Sequence, residues 1–110
     1  MDGMKRIYNK LVRDKIPEII EAKGEKAVTI ILNDQEYWDS LLEKAKEELN
    51  EVKTADTLDE TKKELADLLE VIRAMSEYNG FPFLEIIEEA DKKAAQRGRF
   101  ENKIYLIAVE

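Results

Sequence analysis

Apolar positions along this chain change period several times, and each change marks an element. From about Gln35 to Lys53, residues Trp38, Leu41, Leu42, Ala45, Leu49 and Val52 fall on one stripe of a helix. Asn33 and Asp34 stand just before it, where a capping side chain belongs. The helical period resumes from Leu58 to about Tyr78, with Leu65, Leu68, Val71, Ile72 and Met75 as its apolar stripe. Thr57 and Glu60 have the spacing of a capping box, and Asn79-Gly80 supplies a stop. A third long helix is expected after "FPF", with Pro82 near its first turn, ending near Gly98. A short leading helix is expected in "YNKLVRDKIPEIIEAKG", where Pro17 suits the first turn and Gly24 the position past the end.

Two segments break the helical period. "KAVTIIL", Lys26 to Leu32, and "NKIYLIAV", Asn102 to Val109, are short and β-branched, so both predict strands. Paired, they would form a minor two-stranded β ribbon, weak by itself. The expected fold is therefore mainly α: an antiparallel helical bundle with that ribbon, in a single domain over residues 1–110. A pair of long helices exposes more apolar stripe than a lone chain of this size covers. A homodimer or a dimer of dimers is expected.

Composition changes the picture by removing chemistry. The chain has no cysteine and no histidine. Disulfides, thiolate metal sites, Ser-His and Cys-His nucleophiles and the commonest zinc ligand are all excluded. Any metal site must be built from oxygens, which selects hard cations such as Mg²⁺ or Mn²⁺. With 25 acids against 18 bases the formal charge is -7, which argues against a nucleic-acid polymer or a membrane surface as partner. A small phosphate ligand held through a metal stays compatible with that charge. The start, "MDGMKRIYNK", lacks an apolar signal core, and no apolar run approaches the length of a membrane span, so a cytoplasmic location is expected.

Some acids sit where the apolar stripes predict burial. At roughly 100° per residue, Glu64 lies about 40° from Leu68, inside the second stripe, with Asp67 on its edge. On the preceding helix Glu48 borders the stripe, Glu51 follows one turn on, and Glu47 points further away. Acids three apart are common on solvated helix faces. Here two such pairs, Glu48/Glu51 and Glu64/Asp67, flank the faces expected to pack, and an antiparallel hairpin would make them converge. Each close carboxylate pair costs about 4 kcal/mol at 4 Å in an effective dielectric of 20. A cluster of this kind needs cations, either lysines or divalent ions.

The segments "KEELNE" and "ELADLLE" resemble the signature of the MazG-like nucleotide pyrophosphohydrolases, all-α enzymes with E-E-x-x-E on one helix and E-x-x-D on the next. Here these read Glu47-Glu48-Leu49-Asn50-Glu51 and Glu64-Leu65-Ala66-Asp67. The leader "YNKLVRDKIPEII" and the late segment "KKAAQRGRF" are similar to those of a subgroup described as phosphoribosyl-ATP pyrophosphohydrolase-like. The resemblance implies Mg²⁺-dependent hydrolysis of a nucleoside triphosphate between the α and β phosphates, giving a nucleoside monophosphate and pyrophosphate. It implies metal ligation by Glu48, Glu51, Glu64 and Asp67, with Glu47 matching the motif but pointing away. Mn²⁺ is the alternative ion. With histidine absent, a carboxylate is the natural general base, Glu48 or Glu51.

Two basic groups are candidates for holding the triphosphate. One is Asn9, Lys10, Arg13, Asp14 and Lys15; the other is Lys93, Arg97 and Arg99. Trp38, Tyr37 and Phe83 are candidates for stacking on a base, although aromatics at helical spacing serve the core more often. Two alternatives stand beside this reading. One is phosphoribosyl-ATP hydrolysis in histidine synthesis; the other is a non-catalytic helical dimerisation module with acids as surface decoration.

Overall fold

The structure is a computed structural model and describes residues 5–110. Four helices follow one another: α1 (Ile16–Ala22), α2 (Asp34–Thr54), α3 (Leu58–Tyr78) and α4 (Phe83–Arg97). The mainly helical expectation holds, and the helix ends fall where local chemistry places them. Asn33 accepts a hydrogen bond from the Glu36 N–H at 2.8 Å, and Glu36 accepts one from the Asn33 N–H at 3.2 Å. Two of the N–H groups that a helix start leaves unpaired are thereby satisfied. At the start of α3 the Thr57 hydroxyl accepts from the Glu60 N–H at 3.1 Å. The Glu60 carboxylate reaches back one residue further than the usual box, to the Asp56 N–H.

Stops are equally local. α3 ends where Gly80 takes φ +83° and its N–H reaches the Glu77 carbonyl at 3.0 Å. The Phe81 N–H donates to the Ser76 carbonyl, and the buried Ser76 hydroxyl donates to the Phe81 carbonyl at 2.8 Å. α4 ends at Gly98, also at φ +83°, a left-handed conformation that costs glycine nothing.

The chain divides into two compact units, with the boundary between Met75 and Ser76 inside α3. In the first unit α2 and α3 are joined by three residues, 55–57, and turn back on each other as a hairpin. Among the described residues the apolar side chains buried in the chain are Leu41 of α2 and Val71 of α3. Several stripe positions are uncovered: Leu49, Leu65 and Ile72 are all exposed. The second unit carries α4 and the segment that follows it.

The β ribbon expected between Lys26–Leu32 and Asn102–Val109 does not form. Neither segment is a strand, and no strand occurs among the described residues. β-Branched side chains favour an extended backbone, but a strand exists only when a neighbouring edge completes its ladder. No described segment of this chain supplies that edge.

Candidate metal centre

The hairpin brings acids from both long helices to one point. One carboxylate oxygen each from Glu48, Glu51 and Glu64 lies within 4.8 Å of the other two. Glu48 is buried, at 6 % exposure, and Glu51 and Glu64 are half-buried. The reason is positional. Glu48 and Glu51 stand one turn apart near the end of α2, and Glu64 stands near the start of α3, the returning helix of the hairpin.

Their hydrogen bonding is incomplete. Glu48 Oε1 pairs with the Lys44 ammonium at 3.4 Å. Glu48 Oε2 and Glu64 Oε2 are closed off from solvent and accept no hydrogen bond among the described residues. Buried polar atoms are almost always paired, because an unpaired one forfeits the water it gave up. Two orphaned oxygens thus lie within this group of three convergent acids.

Electrostatics carry the same message. The Glu64 carboxyl is pushed up to about 7 from its ordinary 4.5. The largest cause is a side-chain hydrogen bond with Glu51. Partial burial adds to it, followed by the negative charges of Glu51, Asp67 and Glu48. A hard cation takes oxygen ligands at roughly 2.0–2.6 Å, and so spans oxygens up to about 5 Å apart. The spread of these three oxygens fits that span, and all are the donor type such a cation prefers.

Asp67, the fourth acid expected here, has a different partner. Its Oδ1 accepts from the Arg13 guanidinium at 2.8 Å, and it acts on Glu64 through its charge. Glu47 stands apart from the trio, as its helical position suggests, and pairs with Lys10 at 3.5 Å and Lys44 at 3.4 Å. The leader expected to contact phosphate therefore reaches the acids directly: Lys10 and Arg13 each ion-pair with a motif acid. Asn9 adopts a left-handed backbone at φ +46°, Asp14 is exposed, and Lys15 stands at the N-cap position of α1 without a side-chain capping bond. Tyr37 and Trp38 are half-buried on α2. Lys93, Arg97, Arg99 and Phe83 belong to the second unit; Arg99 lies 3.5 Å from Asp91.

Lys44 is the residue that sequence reasoning missed. Its side chain is largely covered and lies between Glu47 and Glu48. The spacing in "KAKEE", a lysine three and four residues before two acids, carried the signal as an i,i+3/i,i+4 pair.

No family model matches the chain, and no solved structure matches it. An uncharacterized protein of Mycolicibacterium smegmatis is 51% identical over 49 residues, which are 44% of this chain and 50% of that protein. The chain thus spans about half the length of this curated relative. No described helix is long and apolar enough to cross a membrane.

Proposed function

We infer that this chain is a Mg²⁺-dependent nucleotide pyrophosphohydrolase, cleaving a nucleoside triphosphate between the α and β phosphates to a monophosphate and pyrophosphate. The observation that supports it best is the convergence of Glu48, Glu51 and Glu64 with two buried oxygens left without partners. The resemblance to the MazG-like enzymes supplies the reaction, since the same acids stand in its two motifs. Glu48, Glu51 and Glu64 would hold Mg²⁺, or Mn²⁺ in its place, with Asp67 at the edge. The ion supplies charge neutralisation and polarisation of phosphoryl oxygens.

The chain's own residues do the remaining work. Glu48 or Glu51 takes the proton of the attacking water, the role a histidine-free chain must give to a carboxylate. Lys44 holds Glu48 by one oxygen, which fixes the rotamer and leaves the other oxygen for the centre. Arg13 and Lys10, already beside the motif acids, bind phosphate oxygens when substrate arrives. Asn9, Asp14 and Lys15 flank them in the leader; Lys93, Arg97 and Arg99, in the second unit, are the other basic group that the sequence offers for phosphate. Trp38 is the candidate stacking surface for the base. The uncovered Leu49, Leu65 and Ile72 support a homodimer as the working form.

The test is a panel of nucleoside triphosphates, including phosphoribosyl-ATP, incubated with Mg²⁺ and resolved by chromatography. Monophosphate and pyrophosphate are expected. Diphosphate and orthophosphate would overturn the α–β assignment. Absence of turnover together with no metal-induced rise in melting temperature would reduce the chain to a helical dimerisation module.

A further inference from the structure

Asp67 is the motif acid that stands outside the convergent trio, and the leader holds it there. Arg13 Nη2 donates to Asp67 Oδ1 at 2.8 Å. The Arg13 backbone is itself fixed at the turn into α1, where its carbonyl accepts from the Ile16 N–H at 3.0 Å. Asp67 follows Glu64 by one turn on α3, close enough for its charge to act on the Glu64 carboxyl. Earlier in the leader, Lys10 ion-pairs at 3.5 Å with Glu47 of α2. The leader thus grips both arms of the hairpin, each time by a motif acid. Leu11, between the two cations, is half-buried.

The two grips differ in what they hold. Glu47 lies outside the trio and has a second cation, Lys44, at 3.4 Å. Asp67 is paired with Arg13, and both of those side chains are about half-exposed. An ion pair in that setting contributes little, because water screens it and two side chains must be held in one geometry. A divalent cation carries twice the charge of a guanidinium and takes carboxylate oxygens directly. Arg13 and such an ion therefore compete for the same acid. The guanidinium sits on a long stem, so it can give up Asp67 while Lys10 and Leu11 keep the leader on the hairpin.

We propose that Arg13 is an internal stand-in for the cation at Asp67 and is displaced from it when the ion binds. Without the ion, Arg13 keeps Asp67 paired and spares the trio a fourth uncompensated negative charge. Once displaced, its planar fork of donors, which matches phosphate oxygens, is free for the second ligand. Ion and phosphate are thereby coupled. Whatever holds Arg13 away from Asp67 favours the ion, and the ion favours whatever holds Arg13. The proposal rests on the metal-centre reading above and adds a coupling between its two ligands.

Mg²⁺ binding to the full chain is read by calorimetry. The Arg13 side chain is read by its guanidinium NMR signals, assigned by their loss in Arg13→Ala. Arg13→Ala should bind Mg²⁺ about two- to fivefold more tightly than wild type, the equivalent of an exposed ion pair. In the Asp67→Asn background the same substitution should leave the affinity unchanged, because the contested acid is gone. The Arg13 signals should shift when Mg²⁺ is added to wild type. Equal gains in both backgrounds would show that Arg13 acts only through the field of its charge, and would overturn the exchange. Unchanged or weaker binding by Arg13→Ala would overturn it too, as would Arg13 signals that stay in place while Mg²⁺ binds. Should Asp67→Asn lose the ion altogether, the wild-type spectra decide alone. A wild type that binds no Mg²⁺ overturns the metal centre itself, and the exchange with it. Helical circular dichroism equal to wild type checks that each variant folds.

Discussion

Glu64 is the residue on which the candidate site turns. It occupies an apolar stripe, is pushed up in pKa by the neighbouring Glu51, and has one oxygen closed off without a partner. Replacing it by glutamine keeps the shape and removes a charge that repels its neighbours. Glu64→Gln is expected to abolish nucleotide hydrolysis, assayed by release of pyrophosphate, while melting higher than wild type in EDTA. Retained wild-type turnover would remove Glu64 from the centre. The shift of Glu64 also has a sign that can be tested without metal. Its folded value lies above its ordinary 4.5, at about 7, so protonation favours the folded state. The stability it contributes is complete below pH 4.5 and is lost as pH rises through 7. Metal-free wild type should therefore lose more melting temperature between pH 5 and pH 8 than Glu64→Gln does. Equal slopes for the two chains would mean that Glu64 titrates as an ordinary exposed acid.

At the scale of elements, the helix ends carry the precision that the site needs. The hairpin connector is three residues long, so a shift in either cap changes where Glu51 meets Glu64. Asn33 and Glu36 cap α2 reciprocally, and Thr57 caps α3. Asn33→Ala should cost about 1 kcal/mol, the usual loss of an N-cap side chain. In a domain of this size that corresponds to a fall of about 4–8 °C in melting temperature, read by thermal circular dichroism. Thr57→Ala should cost a similar amount and in addition lower turnover, because its cap stands at the hairpin corner. The surface ion pair of Arg13 with Asp67 is half-exposed and should contribute little to stability. Arg13→Ala should therefore leave the melting temperature within about 1–2 °C and act on substrate affinity instead.

For the whole molecule, ligand and partner should both act as stabilisers, since each binds the folded chain. The acidic centre concentrates repulsion in a chain already at -7. Mg²⁺ at one hundred times its dissociation constant should add about 2.7 kcal/mol relative to EDTA. No shift in melting temperature at millimolar Mg²⁺ or Mn²⁺ would argue that the three acids hold no ion. The slender core points the same way for a partner. Leu41 and Val71 are the buried apolar residues described, while Leu49, Leu65, Ile72, Ile30, Ile31 and Ile107 remain uncovered. A chain with so much apolar surface outside is expected to melt at a temperature that rises with its own concentration.

The sequence by itself determined the helices, their caps and their stops. These depend on contacts within a few residues: Asn33 with Glu36, Thr57 with Glu60, Gly80 and Gly98 in the left-handed region. It also made the acid motif visible, because helical period places Glu48, Glu51, Glu64 and Asp67 beside the apolar stripes. Only the tertiary structure decided which of them meet. Three carboxylates converge, while Asp67 turns to Arg13 and Glu47 to Lys10 and Lys44, since side-chain partners from distant segments compete for each acid. The strands went the other way: β-branched composition predicted them over residues 26–32 and 102–109, but no strand occurs among the described residues, and Lys103 turns left-handed at φ +58°. An extended backbone is a local preference, whereas a ladder is a contact between edges that local sequence cannot supply.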